Sequence, residues 1–219
     1  GFSFFKILKG SRQYPQLFWG AIIMFFYVGA EACTAGFYIS YLKEVSGFGA
    51  AQTARFLTYY YIAATVVSLI GIYLLRVMSA GKLVALFGVG MIMTYLLAAL
   101  TTSSLNPYYL VALGVFISIM FPSLFSLGIE GIGSFTEKGS ALINIAVVGG
   151  AVFPPLQGMV ADAKSVQVSY LVPCFCFVLI VCYGIFCHKR YVRMKLALPA
   201  VRGEGTKAPE QPAAGTGFI

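Results

Sequence analysis

Long apolar runs separated by short polar connectors dominate the pattern of the chain. A transmembrane helix needs about 20 mostly apolar residues to cross the roughly 30 Å of hydrocarbon in a bilayer. Six segments of the sequence satisfy this requirement. The pattern therefore predicts six membrane-spanning helices, over residues 17–42, 53–75, 83–101, 107–129, 139–160 and 168–187.

The placement of Lys and Arg predicts which way these spans face. With a cytoplasmic amino terminus, twelve of the 15 basic residues lie on the cytoplasmic side, and the other three are Lys43, Arg55 and Lys164. This bias exists only for an even number of spans, and basic residues concentrate in cytoplasmic loops. We therefore expect a multi-pass protein of the cell (inner) membrane with both termini in the cytoplasm.

Composition excludes several classes of function. Charged residues make up 10% of the chain, whereas a soluble domain carries about 25%. The net charge of +8 lies in short clusters rather than in a basic stripe, so we expect no nucleic-acid binding. With one His, and five Cys that lie in or beside apolar runs, we expect neither a metal site nor a cofactor. Hydrolase, metalloprotease and phosphate-binding motifs are missing, which argues against an enzyme.

The two ends of the chain differ from the middle. Residues 1–16 are basic and aromatic, which predicts a cytoplasmic segment that lies along the membrane interface. Residues 17–188 form the predicted transmembrane domain. Residues 189–219 are basic at first and rich in Gly, Pro and Ala from about Pro199, which predicts a disordered cytoplasmic tail. The chain begins without Met, and we expect it to be a fragment of a longer protein.

An acidic residue near the middle of the first span is the strongest candidate for function. Glu31 at that depth costs about 2.5–3.5 kcal/mol, whereas one interhelical hydrogen bond returns only about 0.6–2 kcal/mol. Helical spacing places Tyr27, Thr34 and Tyr38 on the same face. We predict that this face lines a polar cavity; the alternative is a carboxyl group that bonds to a neighbouring helix.

Polar residues and helix breakers mark the fourth and fifth spans. Asn144 is equally suited to binding a sugar hydroxyl and to joining helices, and Gln157, near a helix end, favours the second role. Pro122, beside Phe121, should interrupt the fourth span because proline frees a backbone carbonyl. Interrupted helices often flank transporter binding sites. Comparable breakers in the fifth span are Gly149, Gly150, Pro154 and Pro155.

Several of these segments resemble one known family. The run MFPSLFSL at 120–127 continues through GIG at 131–133 and TEKGS at 136–140. It is followed by VVGGAVFP at 147–154 and QGMVAD at 157–162, and GAEA at 29–32 precedes it. These motifs resemble the C-terminal six-helix half of a major facilitator transporter, in the fucose and glucose/galactose proton-symporter family.

The resemblance implies an all-α membrane protein, the C-terminal six-helix bundle of a major facilitator fold, made of two inverted three-helix repeats. It also implies import of a hexose or related sugar with protons by alternating access, and a partner N-terminal six-helix half that carries the proton-coupling acids. The faces that hold Glu31 and Pro122 should then look toward the sugar. Two alternatives stay open: a self-contained six-span protein that dimerises, and a membrane sensor or scaffold that transports nothing.

Overall fold

The computed structural model describes residues 14–204, with side chains for all of them except Ser134 and residues 194–204. Six helical stretches in this part of the chain are long and apolar enough to cross a membrane. The helices are α1 (Pro15–Glu44), α2 (Ala50–Val77), α3 (Ala80–Leu100), α4 (Asn106–Ile117), α5 (Met120–Ile129), α6 (Thr136–Ile145), α7 (Gly149–Ala163), α8 (Val166–Ser169) and α9 (Leu171–Glu204). Helices α4 and α5 make up the fourth span, α6 and α7 the fifth, and α8 and α9 the sixth.

The prediction of six membrane-spanning helices is confirmed. Each predicted span corresponds to one helical stretch, and most of the observed ends lie a few residues beyond the predicted ones. The first span, for example, runs from Pro15 to Glu44 and not only over 17–42. Polar residues at a membrane surface continue a helix readily, whereas the apolar run that predicts a span ends with the hydrocarbon.

The last helix differs from the predicted boundary. It continues through residues 189–204 and ends at Glu204, where the sequence predicts a tail that is disordered from about Pro199. Residues 189–198 are mostly Lys, Arg, Leu, Met and Ala, which have high helix propensity, so the helix does not stop where the hydrocarbon does. Residues 1–13 of the predicted interfacial segment and residues 205–219 of the predicted tail lie outside the described part of the chain.

The first span is the centre of the bundle, and the second lies at its edge. Helix α1 packs on α5, α7 and α9, and α3 packs on α9 and α4. Helix α2 packs mainly on α4, and its buried residues are only Thr53, Tyr60 and Gly71. The rest of α2 is largely apolar and exposed; Leu69, for example, is 67% exposed. An apolar surface of this extent requires lipid or further protein against it.

A polar cluster caps the carboxyl end of α3, where backbone carbonyls have no helical partner. Tyr41 donates to Ala98 O at 2.6 Å, and the Gln167 amide donates to Thr101 O at 2.6 Å. The Asn106 amide donates both to Thr101 O at 2.8 Å and to the Tyr41 hydroxyl at 2.9 Å. The first, third, fourth and sixth spans are thereby joined at one end of the bundle.

Backbone contact joins the first and fifth spans near the middle of the membrane. A Cβ atom added to Gly149 would overlap the carbonyl oxygen of Phe25, and one added to Gly29 would overlap the ring of Phe153. Both glycines are buried. Small residues at such crossings let helices approach closely enough for extensive van der Waals contact, which drives helix association in lipid.

The fifth span is interrupted before its glycine pair and not at its prolines. Residues Ala146–Val148 form a 3-10 turn between α6 and α7, directly before Gly149 and Gly150. Helix α7 continues through Pro154 and Pro155, so the predicted breaks at these two positions are wrong. Membrane helices tolerate proline where neighbouring groups satisfy the freed carbonyls, whereas the contact of Gly149 with α1 fixes where α7 begins.

Asn106→Ala should destabilise the bundle by about 1–3 kcal/mol, because it removes three hydrogen bonds from a residue that is 1% exposed. The unfolding midpoint of the purified protein in detergent measures the change. Ser104→Ala, at an exposed residue two positions earlier, is the control and should leave the midpoint unchanged. Equal midpoints for the two variants would contradict a structural role for the polar cluster.

Gly149→Ala should destabilise the fold by about 1–3 kcal/mol, as expected for overpacking, because the new Cβ atom must displace the backbone of α1. Gly36→Ala is the matched control in α1, since a Cβ atom there meets nothing within 4 Å. Its higher helix propensity should maintain or slightly raise stability. Detergent unfolding of both variants tests the contact, and a tolerated Gly149→Ala would disprove it.

Candidate functional site

Three unusual features lie at the middle of their spans. Glu31 lies near the centre of α1. The fourth span is interrupted between Ile117 and Met120, and the fifth between Ile145 and Gly149. Because all the spans cross the same bilayer, their centres lie near its midplane. Irregular backbone at that depth occurs only where protein or a water-filled cavity satisfies its polar groups.

The interruption of the fourth span lies immediately before Pro122, as the sequence predicts. Proline has no N–H, so Ser118 O, four residues earlier, loses its helical donor. Pro122 itself lies in the first turn of α5, where N–H groups have no intrahelical acceptor. Ser68 of α2 reaches the freed carbonyl: its Oγ lies 3.3 Å from Ser118 O and 2.8 Å from Ala64 O of its own helix.

The side chain of Tyr27 in α1 contacts two further backbone groups at the break, the carbonyl of Ile117 and the N–H of Phe121. The Tyr27 hydroxyl donates to Ile117 O at 3.4 Å and lies beside the backbone N–H of Phe121. The Tyr27 hydroxyl therefore lies against the backbone at both edges of the break. The Tyr27 side chain is 1% exposed, so water does not compete for these groups.

Glu31 lies one helical turn after Tyr27 and is half-buried. Helical spacing puts its carboxyl group on the same face of α1 as Tyr27, and the hydroxyls of Tyr27 and of Tyr60 in α2 are within electrostatic range of it. The ring of Phe121, which is 38% exposed, lies 6.3 Å from the Tyr27 ring. We call Glu31, Tyr27, Tyr60 and Phe121 the Glu31 site. It combines a carboxyl group, two phenol hydroxyls and an aromatic ring where three spans meet.

The other two residues of the predicted polar face turn into the bundle. Thr34 is 0% exposed, and its hydroxyl lies 2.5 Å from the Tyr95 hydroxyl of α3. Tyr38 is 1% exposed and donates to Phe56 O of α2 at 3.0 Å. These hydroxyls join helices, which differs from the predicted cavity-lining role. Among the four residues of the face, Glu31 alone reaches a partly open surface.

The polar residues of the fifth span lie in contrasting places. Asn144 is exposed, near the carboxyl end of α6. Gln157 is fully buried, and its amide donates to the Ser169 hydroxyl at 3.1 Å. Gln157 thus joins α7 to α8, as the helix-joining alternative predicts, and its Oε1 has no protein partner within the described residues. The structure does not bring Gln157 to the Glu31 site.

Three contributors are not apparent from local sequence patterns. Tyr60 is buried between two exposed tyrosines, and only the rotation of α2 decides which of the three points inward. Ser68 contacts the carbonyl of Ser118, 50 residues away along the chain, and Tyr95 bonds to Thr34, 61 residues away. Spacing within one helix indicates neither contact. Pro122 is the sequence feature that indicates such a contact, because the carbonyl that a proline frees requires a donor from elsewhere in the protein.

The chemistry available at the site is hydrogen bonding and aromatic contact. Within residues 14–204, no group of three or more His, Cys, Asp or Glu side chains is placed to hold a metal ion. A carboxylate accepts hydrogen bonds, phenol hydroxyls donate and accept them, and an aromatic ring offers an apolar face. This combination suits a small solute that presents several hydroxyl groups and one apolar face.

Comparisons with known proteins point in the same direction. No protein-family model matches the sequence. The chain is 36% identical over 175 residues to the glucose/galactose transporter of Brucella abortus, covering 79% of this chain and 42% of the relative. It is 28% identical over 170 residues to the L-fucose-proton symporter of Escherichia coli, covering 77% and 39%. The chain thus spans less than half the length of these relatives.

The fold also matches solved structures. The crystal structure of the E. coli fucose:proton symporter superposes with a TM-score of 0.79 at 27% identity, over 84% of this chain and 46% of that chain. A major facilitator superfamily transporter in the outward conformation gives the same TM-score and identity over 84% and 45%. The predicted fold class is confirmed. The chain has the six-helix fold of one half of a major facilitator superfamily transporter, and it is similar in sequence to glucose/galactose transporters and to an L-fucose-proton symporter.

Proposed function

We propose that this chain is the C-terminal half of a secondary transporter that imports a hexose or a related sugar with protons by alternating access. The names of two relatives support the solute: one is a glucose/galactose transporter and the other an L-fucose-proton symporter. An N-terminal six-helix half would complete the transporter. By family resemblance, that half would also carry the proton-coupling acids.

The observation that carries the proposal is a half-buried carboxyl group at the midplane, beside an interrupted helix. Among the side chains that the structure describes, none is a cation that pairs with Glu31, and the hydroxyls of Tyr27 and Tyr60 are the groups that interact with its carboxyl group. A carboxyl group at this depth is expensive unless several groups or water solvate it. A sugar hydroxyl would supply one of these partners, and the exposed ring of Phe121 would face an apolar face of the sugar.

The surroundings of the site are consistent with a second half across from it. Much of α2 is exposed and apolar, and α2 carries Tyr60 at its buried edge. We place the missing half, or lipid, against this surface. Glu31, Tyr60 and Phe121 would contact the sugar, Asn144 would contribute from the fifth span, and Tyr27, Thr34, Tyr38 and Gln157 would support the wall.

The distribution of basic residues supports the orientation. We place residues 17–188 in the cell (inner) membrane, and the segments 1–16 and 189–219 in the cytoplasm. Lys189, Arg190 and Arg193 are exposed on α9, beyond the apolar part of the last span. Their number at this end follows the preference of cytoplasmic membrane edges for Lys and Arg.

Uptake by the complete transporter tests the proposal. The full reading frame that contains this chain, reconstituted into liposomes, should accumulate radiolabelled D-glucose, D-galactose or L-fucose when an inward proton gradient is imposed. Glu31→Gln should lower uptake at least about tenfold, since removal of a charge-assisted hydrogen bond costs about 1.5–3 kcal/mol. Asn144→Ala should lower it less, because Asn144 is exposed.

Glu44→Gln is the matched control, because Glu44 is an exposed acid at the end of the same helix. Its uptake should equal that of the unmodified protein. Unchanged uptake in both Glu31→Gln and Asn144→Ala would contradict the assignment of these residues to the sugar site. A protein that accumulates none of the three sugars would contradict the sugar-transport proposal and favour a sensor or scaffold.

A further inference from the structure

A groove of about 430 Å³ opens between the first and last spans. Its walls are mostly apolar and come from two helices, with Trp19, Ile23 and Phe26 from α1 and Leu179, Cys182 and Phe186 from α9. The stretch from Trp19 to Phe26 covers about 10 Å along a helix. Both walls belong to membrane-spanning helices, so the groove is a long apolar slot at the depth of the bilayer.

A smaller pocket of about 120 Å³ continues the groove toward the end of the bundle. Phe186 lines both cavities, and Arg190, one helical turn further along α9, lines the pocket. Gln16 of α1 and Glu130, which directly follows α5, also line the pocket. Tyr183 of the groove donates to Gln16 O at 3.2 Å. The apolar slot therefore ends in a polar pocket that contains one acid and one arginine.

The two charges of the pocket are opposite in sign, and both side chains are exposed. The guanidinium of Arg190 suits a phosphate oxygen, through charge-assisted hydrogen bonds. The carboxylate of Glu130 accepts hydrogen bonds from an ammonium group. A phosphatidylethanolamine headgroup carries both a phosphate and a primary ammonium, joined by a short link. Phosphatidylglycerol has no cation for Glu130, and the methylated ammonium of phosphatidylcholine has no N–H to donate.

We propose that the groove and the pocket together bind one molecule of phosphatidylethanolamine. An acyl chain lies along α1 and α9, the phosphate contacts Arg190, and the ammonium contacts Glu130. Trp19 is 53% exposed at the groove, which agrees with the preference of tryptophan for the level of the lipid headgroups. The inference concerns the surrounding lipid and does not depend on which solute the protein carries.

The groove lies away from the surface assigned to the missing half. Helix α9 packs on α3 and α1, whereas α2 packs mainly on α4. The missing half is placed against the exposed apolar face of α2. The α1–α9 side of the bundle should therefore stay open to lipid in the complete protein.

Fluorescence quenching by brominated phospholipids tests the occupant, because Trp19 is the only tryptophan of this chain and lines the groove. Bromine atoms on an acyl chain quench an indole that they contact. The complete protein is placed in phosphatidylcholine bilayers with a minor fraction of brominated lipid, and Trp19→Phe supplies the signal of any other tryptophan for subtraction. At equal mole fraction, brominated phosphatidylethanolamine should quench Trp19 about two- to fivefold more than brominated phosphatidylcholine or phosphatidylglycerol, as expected for exposed ion pairs.

Substitution of each charge tests the headgroup contacts. Arg190→Gln should lower quenching by phosphatidylethanolamine about two- to fivefold, since one basic residue near a membrane surface contributes an effect of this size. Glu130→Gln should bring quenching by phosphatidylglycerol up to that by phosphatidylethanolamine, because only the phosphate contact remains. Glu137→Gln and Arg193→Gln, at exposed residues that do not line the pocket, are the matched controls and should keep the original preference.

A second pair of variants tests the apolar groove. Cys182 is exposed and lines the groove, so Cys182→Phe should fill part of it and lower the excess quenching by phosphatidylethanolamine. Ile185→Phe is the control on the same helix, because Ile185 is exposed and does not line the groove. This variant should retain the excess quenching.

Three results would overturn the inference. Equal quenching by the three lipids would show contact with bulk lipid only. Strongest quenching by phosphatidylglycerol would show a site that responds to the basic residues alone. Failure of every brominated lipid to quench Trp19 would show that protein covers the groove. Sugar uptake is measured separately, so neither its presence nor its absence affects these outcomes.

Discussion

The structure depends on one constraint: lipid offers no partner to a backbone N–H or C=O group. A regular helix satisfies these groups internally, so any interruption in a span must find its partners in the protein. The fourth span finds them in side chains, with Tyr27 at Ile117 O and Ser68 near Ser118 O. The fifth span uses a short 3-10 turn that keeps local backbone bonds. The two interruptions therefore have different mechanical properties.

Tyrosine satisfies much of this requirement elsewhere in the bundle. A phenol buries a large apolar ring and carries one hydroxyl at its far end, so it can pack among helices and still reach a distant carbonyl. Tyr38 bonds to α2, Tyr41 to the end of α3, and Tyr95 to Thr34 of α1. The interior is apolar by volume, yet these polar contacts link its helices in a fixed arrangement. The candidate site also contains two tyrosines, Tyr27 and Tyr60, and both are buried residues of the core.

The sequence predicts the number, order and approximate ends of the spans, because the length of an apolar run is a local property. It also predicts an unusual role for Glu31 and an interruption at Pro122, since a buried acid and a proline are costly in lipid wherever they occur. It does not predict that Thr34 and Tyr38 turn inward, because that depends on the rotation of α1 against its neighbours. Periodicity identifies the residues that share a helical face, but only packing decides which part of a face is open.

The fifth span shows most clearly which structural features follow from the local sequence and which depend on contacts with distant residues. Two prolines at 154 and 155 are stronger helix breakers than a glycine pair, and sequence reasoning assigns breaks to both. The observed break precedes Gly149, because Gly149 lies against the backbone of α1 at Phe25. Two backbones in direct contact cannot slide along each other without first separating. Helices α1 and α7 should therefore move together as one rigid body.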